Sequence, residues 1–255
     1  MGDRLKGKAA VVTGVAGMGI GQGVALAFAR EGADVVGCDI DEKGAEETLA
    51  LAKAEGLSYV DFIADLTDPA SSDRLMAFAV ETFGGIDILV PAAAFVEFAP
   101  VEDLDYEKHW KRTLQGELDL VFLPCKAVWR HMVARGGGSI INFASANAYV
   151  SMPMGALAHC ATKGGVLAMT RQLASEGARH HIRANTISPA LIVTKHTKER
   201  LDHEAGFKEL VLKSIMLDRL GTPADIGYCA VYLASDESSW VTGADIRVDG
   251  GATAF

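Results

Sequence analysis

Ser145, His159 and Lys163 bring a hydroxyl, an imidazole and an amine into one stretch of the chain. His159 and Lys163 stand four residues apart, so on a helix their side chains share a face. Ser145 follows the apolar run Ile140–Ala144, which reads as a buried strand. A polar turn containing Met and Gly separates that strand from a helix expected to begin near Ala156. The three groups therefore converge where a strand meets a helix. That is the arrangement of a proton-transfer site.

Elements earlier in the chain supply a place for a nucleotide. Lys8–Thr13 is a short Val-rich apolar run suited to a buried parallel strand. The loop GVAGMGIGQG, Gly14–Gly23, follows it and leads into the apolar-periodic helix VALAFAREG. In that order, the glycines let the backbone approach a pyrophosphate and the helix N-terminus offers free N–H groups. Gly14, Gly17, Met18, Gly19 and Ile20 are the loop residues expected to lie against it. A second strand, Ala33–Gly37, ends at Cys38-Asp39, and Asp39 lies 25 residues after Gly14. At that spacing an acidic side chain accepts hydrogen bonds from an adenosine ribose. Position 40 is Ile, so no cation there would welcome a 2′-phosphate. The reading is NAD(H) over NADP(H).

The rest of the chain alternates strands and helices. Helices are expected over Asp41–Glu55, from the cap Asp68-Pro69 to Phe83, from Asp103 or Asp105 to about Ala134 with a kink at Pro124, from Ala156 to Arg179, and from Thr222-Pro223-Ala224-Asp225 to Leu233. Strands are expected at Leu57–Ile63, Ile86–Val90, His181–Ser188 and in the final VTGADIRVDGG. Lys195–Arg219 is charged and helical with Gly206 as a hinge, which suggests a lid over a substrate. No composition break divides the 255 residues. The fold class is α/β, a single-domain Rossmann-type doubly wound parallel sheet with helices on both faces.

Composition narrows the function. A net charge of −9 argues against nucleic acid and anionic membranes as partners. No apolar run approaches the length of a membrane span and no signal peptide is evident, so a cytoplasmic location is expected. Four scattered cysteines and seven histidines show no metal-ligand spacing, so reduced thiols and no metal are expected.

The order of these motifs over the whole chain resembles the short-chain dehydrogenases/reductases. That family places a Ser at the end of its fifth strand and a Tyr-x-x-x-Lys on the next helix. Ser145 and Lys163 match two of these residues, while the Tyr position is His159. The resemblance implies that Ser145 hydrogen-bonds the substrate oxygen, Lys163 holds the ribose, and His159 stands in for the acid/base. It also implies that Asp65-Leu66 meets the adenine and that Thr194, in Pro189-Ala190-Leu191-Ile192-Val193-Thr194, meets the nicotinamide carboxamide. Four further features depart from the family. Pro91-Ala92-Ala93-Ala94 replaces Asn-Asn-Ala-Gly, leaving Ala92 and Ala93 small enough to admit a nucleotide. Ala190 replaces a Gly. The phosphate loop is one residue longer. Glu117 stands where the family carries an Asn that holds a water beside the Lys, so it pairs with Lys163 or faces solvent.

A free Tyr titrates near pH 10 and a free His near 6.5, so imidazole works near neutrality without assistance. A nearby Lys163 would disfavour the imidazolium. Imidazole is also shorter than phenol by roughly one bond, and a gap of that size can cost about a hundredfold. Three readings follow: an NAD-dependent enzyme interconverting a small-molecule alcohol and ketone, a non-redox lyase, isomerase or dehydratase using the same pocket, or a silent nucleotide-binding subunit. Met152, Met154 and the pair Ile192-Val193 hint at a partly apolar substrate pocket. The resemblance implies a homotetramer or homodimer.

Overall fold

In a computed structural model, described here for residues 2–151, 155–204 and 206–254, seven parallel strands form one sheet in the order β3-β2-β1-β4-β5-β6-β7. They are β1 Ala9–Thr13, β2 Asp34–Asp39, β3 Tyr59–Ile63, β4 Ile88–Val90, β5 Gly138–Phe143, β6 Ile182–Pro189 and β7 Asp245–Val248. All five residues of β1 are buried, as a strand covered on both faces requires. Its side chains alternate, with Ala10 and Val12 entering one core and Val11 the other. The first core packs against Ile20–Arg30, Glu42–Ala54 and Pro223–Ala234. The second packs against Pro69–Phe83, Leu120–Arg135 and Leu157–Gly177. This is the doubly wound α/β arrangement read from the sequence. The strand order reverses between β1 and β4, and the crevice beyond the strand ends at such a point is where ligands bind in this architecture.

Helix starts follow their caps. Asp41 accepts from Gly44 N–H, and Asp68 accepts from Ala70 N–H with Pro69 at the first helical position. Thr222 and Asp225 form a reciprocal capping box. Of the two candidate caps for the long helix, Asp105 serves, accepting from Lys108 N–H, while Asp103 ends the preceding short turn.

Three expectations need correction. The irregularity in the long helix lies upstream of Pro124, in the widened π-type turns Tyr106–Lys111 and Gln115–Asp119, and Pro124 sits inside Leu120–Arg135. Widened turns insert extra backbone and re-aim side chains, which matters for Glu117 below. The segment 195–219 is not helical throughout. It holds two helices, Lys195–His203 and Phe207–Lys213, joined through Gly206 at φ 78°, a left-handed conformation that favours glycine. The strand β5 starts two residues earlier than expected and stops at Phe143, so Ser145 lies just past its end as a cap. No helix among the described residues is long and apolar enough to cross a membrane.

Candidate active site

A cavity of about 580 Å³ opens beyond the C-terminal ends of β1, β4, β5 and β6. Its wall holds all four expected catalytic residues, Ser145, His159, Lys163 and Glu117. It also holds Ile20, Ala92, Ala93, Pro189, Ile192 and Thr194 from the expected nucleotide set. Gly14, Gly17, Met18, Gly19, Asp39, Asp65 and Leu66 lie outside that wall. Met152 and Met154 fall outside the described residues.

Glu117 organises the centre. It is 3% exposed, carried inward by the widened turn Gln115–Asp119. The Nδ1 of His159 lies 2.8 Å from Glu117 Oε1 and 3.0 Å from Oε2. The hydroxyl of Thr162 donates to Oε2 at 2.5 Å, and Lys163 Nζ stands 3.5 Å from Oε1. Burial pushes the Glu117 carboxyl up, but the His159 N–H, the Lys163 charge and the Thr162 hydroxyl outweigh it and hold the group below the ordinary glutamate range. Of the two readings offered for Glu117, pairing stands and the solvent-facing one falls. The pairing extends to His159, so the imidazole faces a carboxylate as well as the amine expected beside it.

A carboxylate accepts only, so His159 Nδ1 donates and the ring is held in one tautomer and one orientation. Nε2 has no hydrogen-bond partner among the described residues and belongs to a side chain in the cavity wall. Phe98 packs beside the ring at 5.7 Å between centroids. Lys163 also donates to Phe143 O at 3.3 Å, which fixes the amine at the end of β5. Ser145 Oγ accepts from Asn147 N–H at 3.1 Å, leaving its own hydrogen free to donate.

Because its folded-state ionisation is favoured, Glu117 stabilises the fold above the ordinary glutamate range and loses that contribution as pH falls through its lowered value. Glu117→Gln should therefore flatten the loss of stability on acidification below about pH 4.5. Chemical denaturation at several pH values checks this. Parallel acid profiles for the two proteins would contradict the ionised pairing.

The phosphate loop fits a dinucleotide. Gly14 has φ 72°, and a Cβ there would sit 2.6 Å from Ala93 N, so only glycine lets β1 pass this closely under the segment after β4. Ala93 N–H donates to the buried Thr13 hydroxyl at 3.0 Å, a backbone brace where the family's asparagine amides are missing. The helix Ile20–Arg30 has no side-chain cap at Gly19, so its first N–H groups remain for an anion. The extra loop residue is absorbed outward. Ala16 N–H donates to Asp39 Oδ2 at 2.8 Å, Gly17 N–H to Gly44 O at 3.2 Å, and Met18 O accepts from Lys195 N–H at 2.7 Å.

Asp39 therefore does more than the sequence suggested. Its carboxylate accepts Ala16 N–H and Asp41 N–H, and further lone pairs remain at the end of β2. Asp65 is exposed, with its carboxylate turned onto Thr67, and Leu66 is buried in the second core. Thr194 caps the helix Lys195–His203 in a reciprocal box with Thr197 and still lines the cavity. Sequence reasoning missed Thr162 and the His159–Glu117 pair. The adjacent Thr162-Lys163 was a readable signal, but the pair spans 42 residues and a helical irregularity that periodicity does not reveal.

Residues 14–253 match a family profile described as enoyl-(acyl carrier protein) reductase. A D-threitol dehydrogenase of Mycolicibacterium smegmatis is 38% identical over 250 residues, covering 98% of this chain and 94% of that one. A short-chain type dehydrogenase/reductase from Mycobacterium marinum superposes with a TM-score of 0.91 at 33% identity, over 98% of this chain and 96% of the other. A gluconate 5-dehydrogenase from Burkholderia cenocepacia, solved in complex with NADP and tartrate, gives 0.91 at 32% identity over 99% and 98%.

Proposed function

This chain belongs to the short-chain dehydrogenase/reductase family and is an oxidoreductase, and from that premise we propose that it interconverts a secondary alcohol and a ketone with NAD(H), using His159 as acid/base. The observation that carries the reading is the Glu117–His159 contact at 2.8 Å, which leaves the other imidazole nitrogen of this cavity-lining side chain without a partner among the described residues. In oxidation the substrate hydroxyl gives its proton to His159 Nε2 as its carbon gives up a hydride. Glu117 offers a counter-charge to the ring as it takes up that proton, the role a carboxylate plays behind any catalytic imidazole. Ser145 donates a hydrogen bond to the same substrate oxygen. In reduction the imidazolium returns the proton. A bound nicotinamide supplies the hydride acceptor or donor. Lys163, Thr194 and the loop from Gly14 to Ile20 hold that nucleotide, and Asp39 receives its ribose.

The two departures at His159 and Glu117 make one device on this reading. The shorter ring is matched by a longer acid behind it, and the family's Tyr and Asn are both dispensable. The helices Lys195–His203 and Phe207–Lys213 act as the lid, tied to the phosphate loop through the Lys195 N–H bond to Met18 O. A homotetramer or homodimer in the cytoplasm suits the same reading.

Relatives differ in dinucleotide, since the gluconate 5-dehydrogenase neighbour is described with NADP. For this chain the choice rests on Asp39, which would repel a 2′-phosphate, and on the uncharged Ile40 beside it. NADH should bind at least about tenfold more tightly than NADPH, about 1.4 kcal/mol. Calorimetric titration of both decides it, and equal affinity or tighter NADPH would remove the assignment of Asp39. The redox reading itself is tested on a panel of polyols, sugar acids and ketones. Turnover of none of them by protein that still binds NADH would sink it.

A further inference from the structure

The cavity wall carries an uneven set of charges. Among the described residues its only carboxylate is Glu117, which His159, Thr162 and Lys163 already hold. Two further basic side chains, His196 and Arg200, stand in the same wall and take no part in that centre. Both come from the helix Lys195–His203, four positions apart, so one face of that helix presents them to the cavity. His196 is exposed and makes no hydrogen bond among the described residues.

Arg200 is held in place and left with a free donor. Its guanidinium lies 4.2 Å over the ring of Phe207, a buried residue of the helix Phe207–Lys213 that lines the same cavity. Nε and Nη2 donate to Glu204 at 3.1 and 2.9 Å, whereas Nη1 has no partner among the described residues. Glu204 is not part of the cavity wall, and an exposed pair of this kind orients the fork while binding it only weakly. The Arg200 side chain is 38% exposed, so solvent reaches it and a ligand can. Around it, Leu210, Val211 and Ile215 make the wall apolar. A planar cationic fork in such surroundings suits a carboxylate. The phosphates of a dinucleotide are provided for elsewhere, because Gly14, Gly17, Met18 and Gly19 lie outside this wall.

We infer that Arg200 is a specificity-determining residue that binds a carboxylate of the substrate, so that the substrates are hydroxy acids and the matching oxo acids rather than neutral alcohols and ketones. The inference rests on the dehydrogenase reading for the carbonyl that is reduced. The cation in the cavity wall does not depend on it.

Oxo acids and their carboxamides test it, since the two members of a pair share one shape and differ by one charge. Acetoacetate, levulinate and 5-oxohexanoate set the carboxylate at three distances from the ketone, each beside its amide. Reduction by the holoenzyme with NADH should favour the anion in at least one pair by about tenfold or more in kcat/KM. In Arg200→Gln that ratio should fall about tenfold, with NADH titration to verify that the variant is folded. A preference that lies in the ketone's own reactivity persists unchanged in the variant and overturns the inference. So does a variant that keeps the ratio but binds NADH tenfold more weakly, because the cation then serves the nucleotide. Equal kcat/KM for anion and amide in every pair leaves the redox reading and removes Arg200. Where no ketone is turned over, binding decides. In the complex with NAD⁺ none of them can be reduced, and saturation-transfer NMR reads their affinities. Tighter binding of an anion than of its amide, lost in Arg200→Gln, supports the carboxylate site, and only the redox reading falls. Equal affinities, an unchanged preference in the variant, or no measurable binding of any anion overturns the inference.

Discussion

His159→Ala is expected to lower kcat for alcohol oxidation at least about a hundredfold, the usual share of a general base. NADH affinity should change little, because the ring contacts Glu117 and the substrate side of the cavity rather than the phosphate loop. His159→Tyr sharpens the test. It restores the family's residue next to an intact Ser145 and Lys163, but it sets a phenol, longer than imidazole, against a buried carboxylate. A site built around imidazole should lose its own reaction with this change. A site that had merely lost its acid would gain activity on generic alcohols and ketones. If His159→Ala and wild type oxidise the same alcohols at the same rate, His159 is not the acid/base.

Lys163→Met should abolish measurable turnover, at least about a hundredfold down, and weaken NADH binding roughly tenfold or more, the scale of a lost hydrogen bond to a charged group. Lys163 is 7% exposed, and its ammonium sits between Phe143 O and Glu117. Removing it takes away the cation facing the nucleotide and the ammonium partner of a buried carboxylate. Breaking a buried charge pair from one side costs stability as well as function. Thermal unfolding should therefore show a less stable variant, with an intact far-ultraviolet spectrum to mark it as folded. Wild-type nucleotide affinity in folded Lys163→Met would show that the amine does not hold the ribose.

Much of this protein was readable one residue at a time. Local signals in the chain determine the strand–glycine loop–helix unit from Lys8 onward, the caps at Asp68 and Thr222, and the Val- and Ile-rich parallel strands. Each depends on neighbours within a few positions, on helical or strand period, and on the conformational freedom of glycine. The spacing of His159 and Lys163 likewise puts both side chains on one helix face, and both line the cavity. Tertiary structure decided what those side chains meet. Whether Glu117 faced solvent or the site depended on a widened helical turn, and such a turn depends on packing across the sheet rather than on periodicity. The same holds for Asp39, whose partner Ala16 lies in the lengthened loop. Hydrogen-bond partners distant in sequence are chosen by the fold as a whole, so a chain read locally can name a histidine and a glutamate but cannot join them.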